Sequence, residues 1–127
     1  MTVDQVRVLI VDDQEAFRSA ARLVVELTDG FSVAGEAATG EDGVAMAADL
    51  APALVLMDMN LPGIDGPEAT RRILAANPEV KVIGLSTYEE YEARALAAGA
   101  VAFLPKSSFE PSVLHRIWTA VADGDAF

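Results

Sequence analysis

Five short apolar runs, each the length of a β-strand, punctuate this chain, and segments of helical period separate them. The runs are VRVLIV from Val6, FSVAGE from Phe31, ALVLMD from Ala53, VKVIGL from Val80 and AFLP from Ala102. Within them VLIV and LVLM are apolar at consecutive positions, so both faces of those strands need cover, the pattern of a parallel sheet with helices on either side. Between the runs, Phe17, Ala20, Ala21, Val24 and Leu27 recur at three and four residues, as do Val113, Leu114, Ile117 and Val121. Such spacing marks the buried stripe of an amphipathic helix. Asp29-Gly30, Asn77-Pro78, Gly99 and Gly124 stop the first, third, fourth and fifth helices. The order is (βα)5, and right-handed crossovers between parallel strands make it a doubly wound α/β sandwich. No internal repeat, low-complexity tract or linker interrupts the rhythm, so a single domain is expected over residues 1–127. A chain of that length buries roughly two thirds of its unfolded surface.

Composition narrows function by exclusion. The net charge of −11, from 20 acidic and 9 basic residues, argues against nucleic-acid binding by this chain itself, because phosphate contacts demand clustered Lys and Arg. Zero Cys removes disulfides, thiol nucleophiles and cysteine metal sites. No apolar stretch approaches a membrane span, and the first ten residues lack the pattern of a secretory leader. The expectation is a soluble, cytoplasmic chain without membrane contact, most of whose carboxylates form a solvated surface.

Three carboxylates stand apart from that surface. Asp12 and Asp13 follow the first strand and Asp58 ends the third, and in such sheets ligands bind beyond the carboxyl ends of the strands. If the two strands are neighbours, carboxylates ~5 Å apart repel by about 3 kcal/mol at an effective dielectric of 20, so the cluster needs a cation or a proton. An all-oxygen set with no His or Cys nearby favours Mg2+, or Mn2+, over zinc, and the backbone carbonyl of Asn60 is a further oxygen within reach. Asp58 then suits a nucleophile that attacks phosphorus to give an acyl phosphate. Lys106, after the fifth strand, offers a point charge for phosphoryl oxygens, while Ser86 and Thr87, after the fourth, offer hydroxyls that sense their arrival. Gly84 reads either as close backbone approach near the site or as an ordinary packing glycine.

These residues together resemble a response-regulator receiver domain of bacterial two-component signalling. The likeness rests on Asp12 and Asp13, Asp58 in MDMNLPGIDG, Ser86, Phe103 and Lys106 after GAVAFLP, in order at the ends of four strands. The stretch LSTYEEYEARALAAGAVAFLPK is most similar to the NarL/LuxR-type regulators, and VADGDAF resembles the start of a linker. The resemblance implies a flavodoxin-like sheet of order 2-1-3-4-5 and phosphotransfer from a histidine kinase to Asp58. It implies intrinsic self-phosphotransfer and autodephosphorylation rather than enzymatic turnover. Ser86, Thr87 and Phe103 become the switch residues, and the face of helix four, strand five and helix five becomes a surface for homodimerisation. DNA is reached only through a helix-turn-helix domain that this chain does not contain. Pro105 precedes the lysine where many receivers have Lys-Pro, which leaves the Lys106–Ser107 peptide open.

Other readings compete at each position. Asp12 and Asp13 also suit a helix N-cap, Asp58 a turn, Lys106 a solvated surface and Ser86 a strand-end hydroxyl. His115 is the only histidine and reads as surface or interface structure; Trp118, Tyr88 and Tyr91 read as packing, and Met57 and Met59 as core filling. A haloacid-dehalogenase-type phosphatase needs a second Asp where Asn60 stands. A helix-loop-helix Ca2+ loop from Asp58 fails at Pro62 and Ala69, and neither a Gly-rich dinucleotide fingerprint nor a P-loop is present. A stand-alone regulator and a receiver-shaped interaction module that ignores phosphate remain as alternatives.

Overall fold

In a computed structural model, which describes residues 5–122, the apolar runs become strands β1 (Val6–Val11), β2 (Phe31–Ala37), β3 (Leu54–Asp58), β4 (Lys81–Ser86) and β5 (Ala102–Pro105). The helices are α1 (Glu15–Leu27), α2 (Gly40–Leu50), α3 (Gly66–Ala76), α4 (Glu92–Ala98) and α5 (Pro111–Ala122). All strand pairs are parallel, in the order β2-β1-β3-β4-β5. The expected flavodoxin-like (βα)5 sandwich is therefore borne out.

Side-chain alternation splits each central strand between two cores. Val8 and Ile10 of β1 join Leu54, Leu56, Ile83 and Leu85 beneath α1 and α5, against Ala21, Val25, Leu114 and Ile117. On the other face Leu9 and Val11 join Val55, Met57 and Val82 beneath Ala47, Ala69, Ile73 and Ala95 of α2, α3 and α4. Met57 and Met59 are fully buried, as expected of core filling. Trp118 meets Phe31 edge-to-face, with centroids 6.1 Å apart.

Register carries the sheet's consequence for the site. Val11 pairs with Met57, Asp58 with Leu85 and Ser86 with Pro105, so the carboxyl ends of four strands finish level. Whatever residue follows Val11 must stand beside Asp58.

The first helix departs from its expected stripe. Leu27 is 64% exposed and Ala20 is also exposed, whereas Ala21, Val25 and Thr28 are buried. At about 100° per residue, Ala20 and Leu27 fall on one flank of the line through Phe17, Val24 and Thr28, and the packed elements cover the other flank. Thr28 closes the helix by donating its hydroxyl to the Val24 carbonyl, 2.7 Å away. Gly30 (φ 88°) and Gly99 (φ 112°) adopt the left-handed turns their positions require. Gly124, expected to stop the fifth helix, and the last five residues of the linker-like VADGDAF lie outside the described residues. The Lys106–Ser107 peptide is trans. Among the described residues no helix is long and apolar enough to cross a membrane.

Gly66 fixes how the chain leaves β3. Its N–H donates to the Met59 carbonyl at 3.0 Å, and a Cβ there would run into the Asp58 carbonyl oxygen and the Met59 Cα. Gly66→Ala should therefore cost about 1–3 kcal/mol of stability, measured as a lowered urea midpoint; an unchanged midpoint would show that the loop yields freely.

Candidate functional site

The level strand ends bring together the three acids that sequence placed far apart. Asp12 is 1% and Asp58 3% exposed, Asp13 is exposed, and one carboxylate oxygen from each lies within 4.8 Å of the others. Asp12 is held at three points. Its N–H donates to Ala37 of β2 at 3.0 Å, its Oδ1 accepts the Gln14 N–H at 2.8 Å, and its carbonyl accepts a bond from Arg18 at 2.7 Å. Gln14, not either acid, occupies the N-cap of α1. Asp58 Oδ1 accepts the Asn60 N–H at 3.2 Å, fixing the turn out of β3.

Lys106 supplies the positive charge. Its Nζ lies 2.7 Å from Asp12 Oδ2 and 3.5 Å from Asp58 Oδ2, with the Phe17 ring centroid 4.6 Å away. Although the ammonium is close to Asp12 Oδ2, that oxygen makes no hydrogen bond. The contact is an ion pair aimed off the hydrogen-bond line. Burial drives the Asp58 carboxyl up to about 6 from its ordinary 3.8, with the Asp12 charge adding to it; Lys106 and the Asn60 N–H pull the other way, and Asp13 adds a smaller upward push.

A polar cleft of about 100 Å³ opens over these groups, lined by Asp13, Gln14, Asp58, Asn60, Thr87, Tyr88 and Lys106. All-oxygen donors, one of them a buried oxygen without a hydrogen bond, beside a polar cleft suit a hard divalent cation that keeps water ligands. Asp12, Asp13 and Asp58 fit that ion, and Asn60 stands on the rim.

The two candidate hydroxyls differ in setting. Thr87 is exposed on the cleft wall. Ser86 is 1% exposed, and its Oγ accepts the Tyr88 N–H at 2.9 Å. Phe103 is half-buried, packs on the core beneath α4 and lines a shallow outer hollow with Glu89, Glu92 and Pro105. Gly84 proves to be a packing position, since a Cβ there would come within 3.1 Å of Ala95 Cβ. Tyr88, read as packing, is 48% exposed at the cleft. His115 is exposed on α5.

Sequence reasoning missed the polar contacts of several neighbours of the site, among them Tyr91, which packs on the core as read. Phe17 was readable only as core stripe, yet it seats the Lys106 ammonium. Tyr91 donates its hydroxyl to Asn60 Oδ1 at 3.4 Å, and Arg94 lies over the Tyr91 ring and pairs with Asp65, the N-cap of α3. Arginines on helices read as solvated charge, and no spacing in the sequence distinguishes these.

A five-stranded sheet in this order, with an acidic cluster and a lysine at its carboxyl edge, defines a receiver-type signalling domain. Residues 8–118 match the response regulator receiver domain family, and the chain belongs to it. It is 40% identical to the response regulator GacA of Pseudomonas protegens over 81% of this chain and 49% of that protein. To the response regulator UvrY of Escherichia coli it is 40% identical over 88% of this chain and 52% of that one. The chain thus spans about half the length of these curated relatives. Among solved structures, a LuxR-family two-component response regulator from Aurantimonas superposes with a TM-score of 0.86 at 28% identity, over 97% of this chain and 89% of that one. The receiver domain of NarL from Mycobacterium tuberculosis gives 0.81 at 28% identity, over 95% and 96%.

The buried Asp58 charge carries a stability cost with a definite sign. Its folded pKa lies above the unfolded one, so the folded chain binds the extra proton, and this group's contribution falls as pH rises from about 3.8 to about 6. With divalent ions chelated, Asp58→Asn should raise stability at neutral pH by about 1–3 kcal/mol. Urea unfolding in EDTA measures this, and a destabilised Asn variant would show that the charge is compensated.

Proposed function

We propose that this domain takes a phosphoryl group from a histidine kinase onto Asp58 and converts it into altered association of its α4-β5-α5 face. What supports the reading above all is the convergence of Asp12, Asp13 and Asp58 within 4.8 Å, with Lys106 beside them and a polar cleft above. An Asp58 carboxylate oxygen attacks phosphorus, the P–N bond of the phosphohistidine breaks as the P–O bond forms, and the imidazole nitrogen takes up a proton. Asp12, Asp13, Asp58 and the Asn60 carbonyl would hold Mg2+, or Mn2+, which when bound would supply positive charge for the phosphoryl oxygens.

Lys106 then turns from its carboxylate partners to one phosphoryl oxygen, and the Ser86 hydroxyl donates to another, with Thr87 as the outer hydroxyl of the same wall. Phe103 packs into the space that the moving hydroxyl vacates, so a charge change becomes a packing change. Moving a population from 1:99 to 99:1 takes roughly 5.5 kcal/mol of differential binding. Charge-assisted hydrogen bonds of about 1.5–3 kcal/mol each, from Lys106 and the hydroxyl, supply most of it. Residues 1–127 act as one receiver unit. Homodimerisation, a DNA-binding output in a further domain of the whole protein and work in the cytoplasm complete the proposal, which the likeness to response regulators GacA and UvrY and to a LuxR-family response regulator accompanies.

Asp58→Asn should fold and take up no label from acetyl phosphate with Mg2+; undiminished labelling would assign the nucleophile elsewhere. Ser86→Ala should keep most of its labelling yet lose phosphate-driven association, read by sedimentation, and association equal to that of the parent would remove Ser86 from the switch.

A further inference from the structure

Arg18, in the first turn of α1, touches no part of the cleft, yet it grips the backbone of a residue that does. Its guanidinium donates to the Asp12 carbonyl at 2.7 Å, and its Nε lies 3.6 Å from Glu36 of β2. Glu36 is fixed in turn by Arg22 at 2.8 Å. The Arg18 side chain is only 18% exposed, so this is a packed contact rather than a solvated pair.

With the Asp12 N–H given to Ala37 and its Oδ1 to Gln14, the Arg18 bond completes the fixing of that residue. The oxygen left over is Oδ2, which faces Lys106 and makes no hydrogen bond. Asp13 follows directly on the carbonyl that Arg18 holds.

We propose that Arg18, tied to Glu36, is a positioning residue for divalent-cation binding: by anchoring the Asp12 carbonyl it sets the Asp12 and Asp13 carboxylates at the spacing the ion requires. The inference rests on the metal role given to those acids above.

Charge and geometry predict opposite signs. A guanidinium near a cation site opposes the incoming ion by Coulomb repulsion, so removing it should tighten binding if charge were its only effect. Loss of an outer support typically weakens metal affinity. Mg2+ titration calorimetry on the 127-residue chain tells the two apart. Arg18→Ala should bind Mg2+ roughly tenfold more weakly, with its melting temperature in EDTA confirming the fold; equal or tighter binding overturns the proposal.

Arg18→Lys keeps the charge but cannot fork between carbonyl and carboxylate, so a smaller loss is expected. Should the Ala variant fail to fold, the Lys variant decides: weaker binding supports the role and unchanged binding overturns it. Absence of Mg2+ binding by the parent chain itself would instead strike the metal assignment beneath the inference.

Discussion

The placement of one ammonium between two buried carboxylates governs this molecule. Asp12 and Asp58 are almost sealed from solvent, and like charges at such range repel by several kcal/mol at an effective dielectric of 20. Lys106 reaches both of them, but a single positive charge cannot neutralise two negative ones with Asp13 as a third. The residual imbalance surfaces in the Asp58 carboxyl, whose affinity for a proton is raised first by burial and then by Asp12. A fold selected for stability alone would not gather these groups. The site is strained electrostatically in the direction that a bound cation would relieve.

The sheet makes that imbalance rigid. Four strands ending in register fix the backbones from which the acids, Ser86 and Lys106 project, and two apolar cores clamp the sheet on both faces. Asp12 is pinned through its N–H, its carbonyl and one carboxylate oxygen. Little freedom is left for the acids to move apart, so relief must come from outside.

Periodicity and end-of-strand chemistry made the five strands, the helices and the acid-lysine set legible, because each follows from a local rule: apolar runs of strand length, glycine stops, carboxylates at carboxyl ends. Strand order was not local; it came only through likeness to receiver domains. The α1 stripe was misjudged at Ala20 and Leu27 because apolar residues within 80° of the line look alike until the neighbours that cover one flank are known. Phe17 and Tyr91, read only as core stripe and packing, and Arg18 and Arg94 did not disclose their part in the site for a related reason. Their partners are the Lys106 ammonium, the Asp12 carbonyl, Asn60 and Asp65, most of them remote in sequence or on the backbone, and residue type alone does not name them.

How α4 is attached bears on the switching proposed for this domain. The helix has seven residues, buries little beyond Ala95 and Ala98 and leaves Leu96 47% exposed, so apolar packing holds it weakly and local opening is cheap. Polar contacts add to it: Tyr88 N–H to Ser86 and Tyr91 to Asn60 from the turn that leads into α4, and Arg94 of α4 to Asp65 at the N-cap of α3. A hydroxyl has one donor and two acceptor positions, and Ser86 spends an acceptor on Tyr88, which leaves its proton available for a phosphoryl oxygen. A Ser86 that turned toward phosphate would carry the Tyr88 amide with it and load the two contacts further along. These contacts tie α4 and the turn before it to the loops that follow β3 and β4, the connection through which the proposed switch would carry a change at Asp58 to the surface.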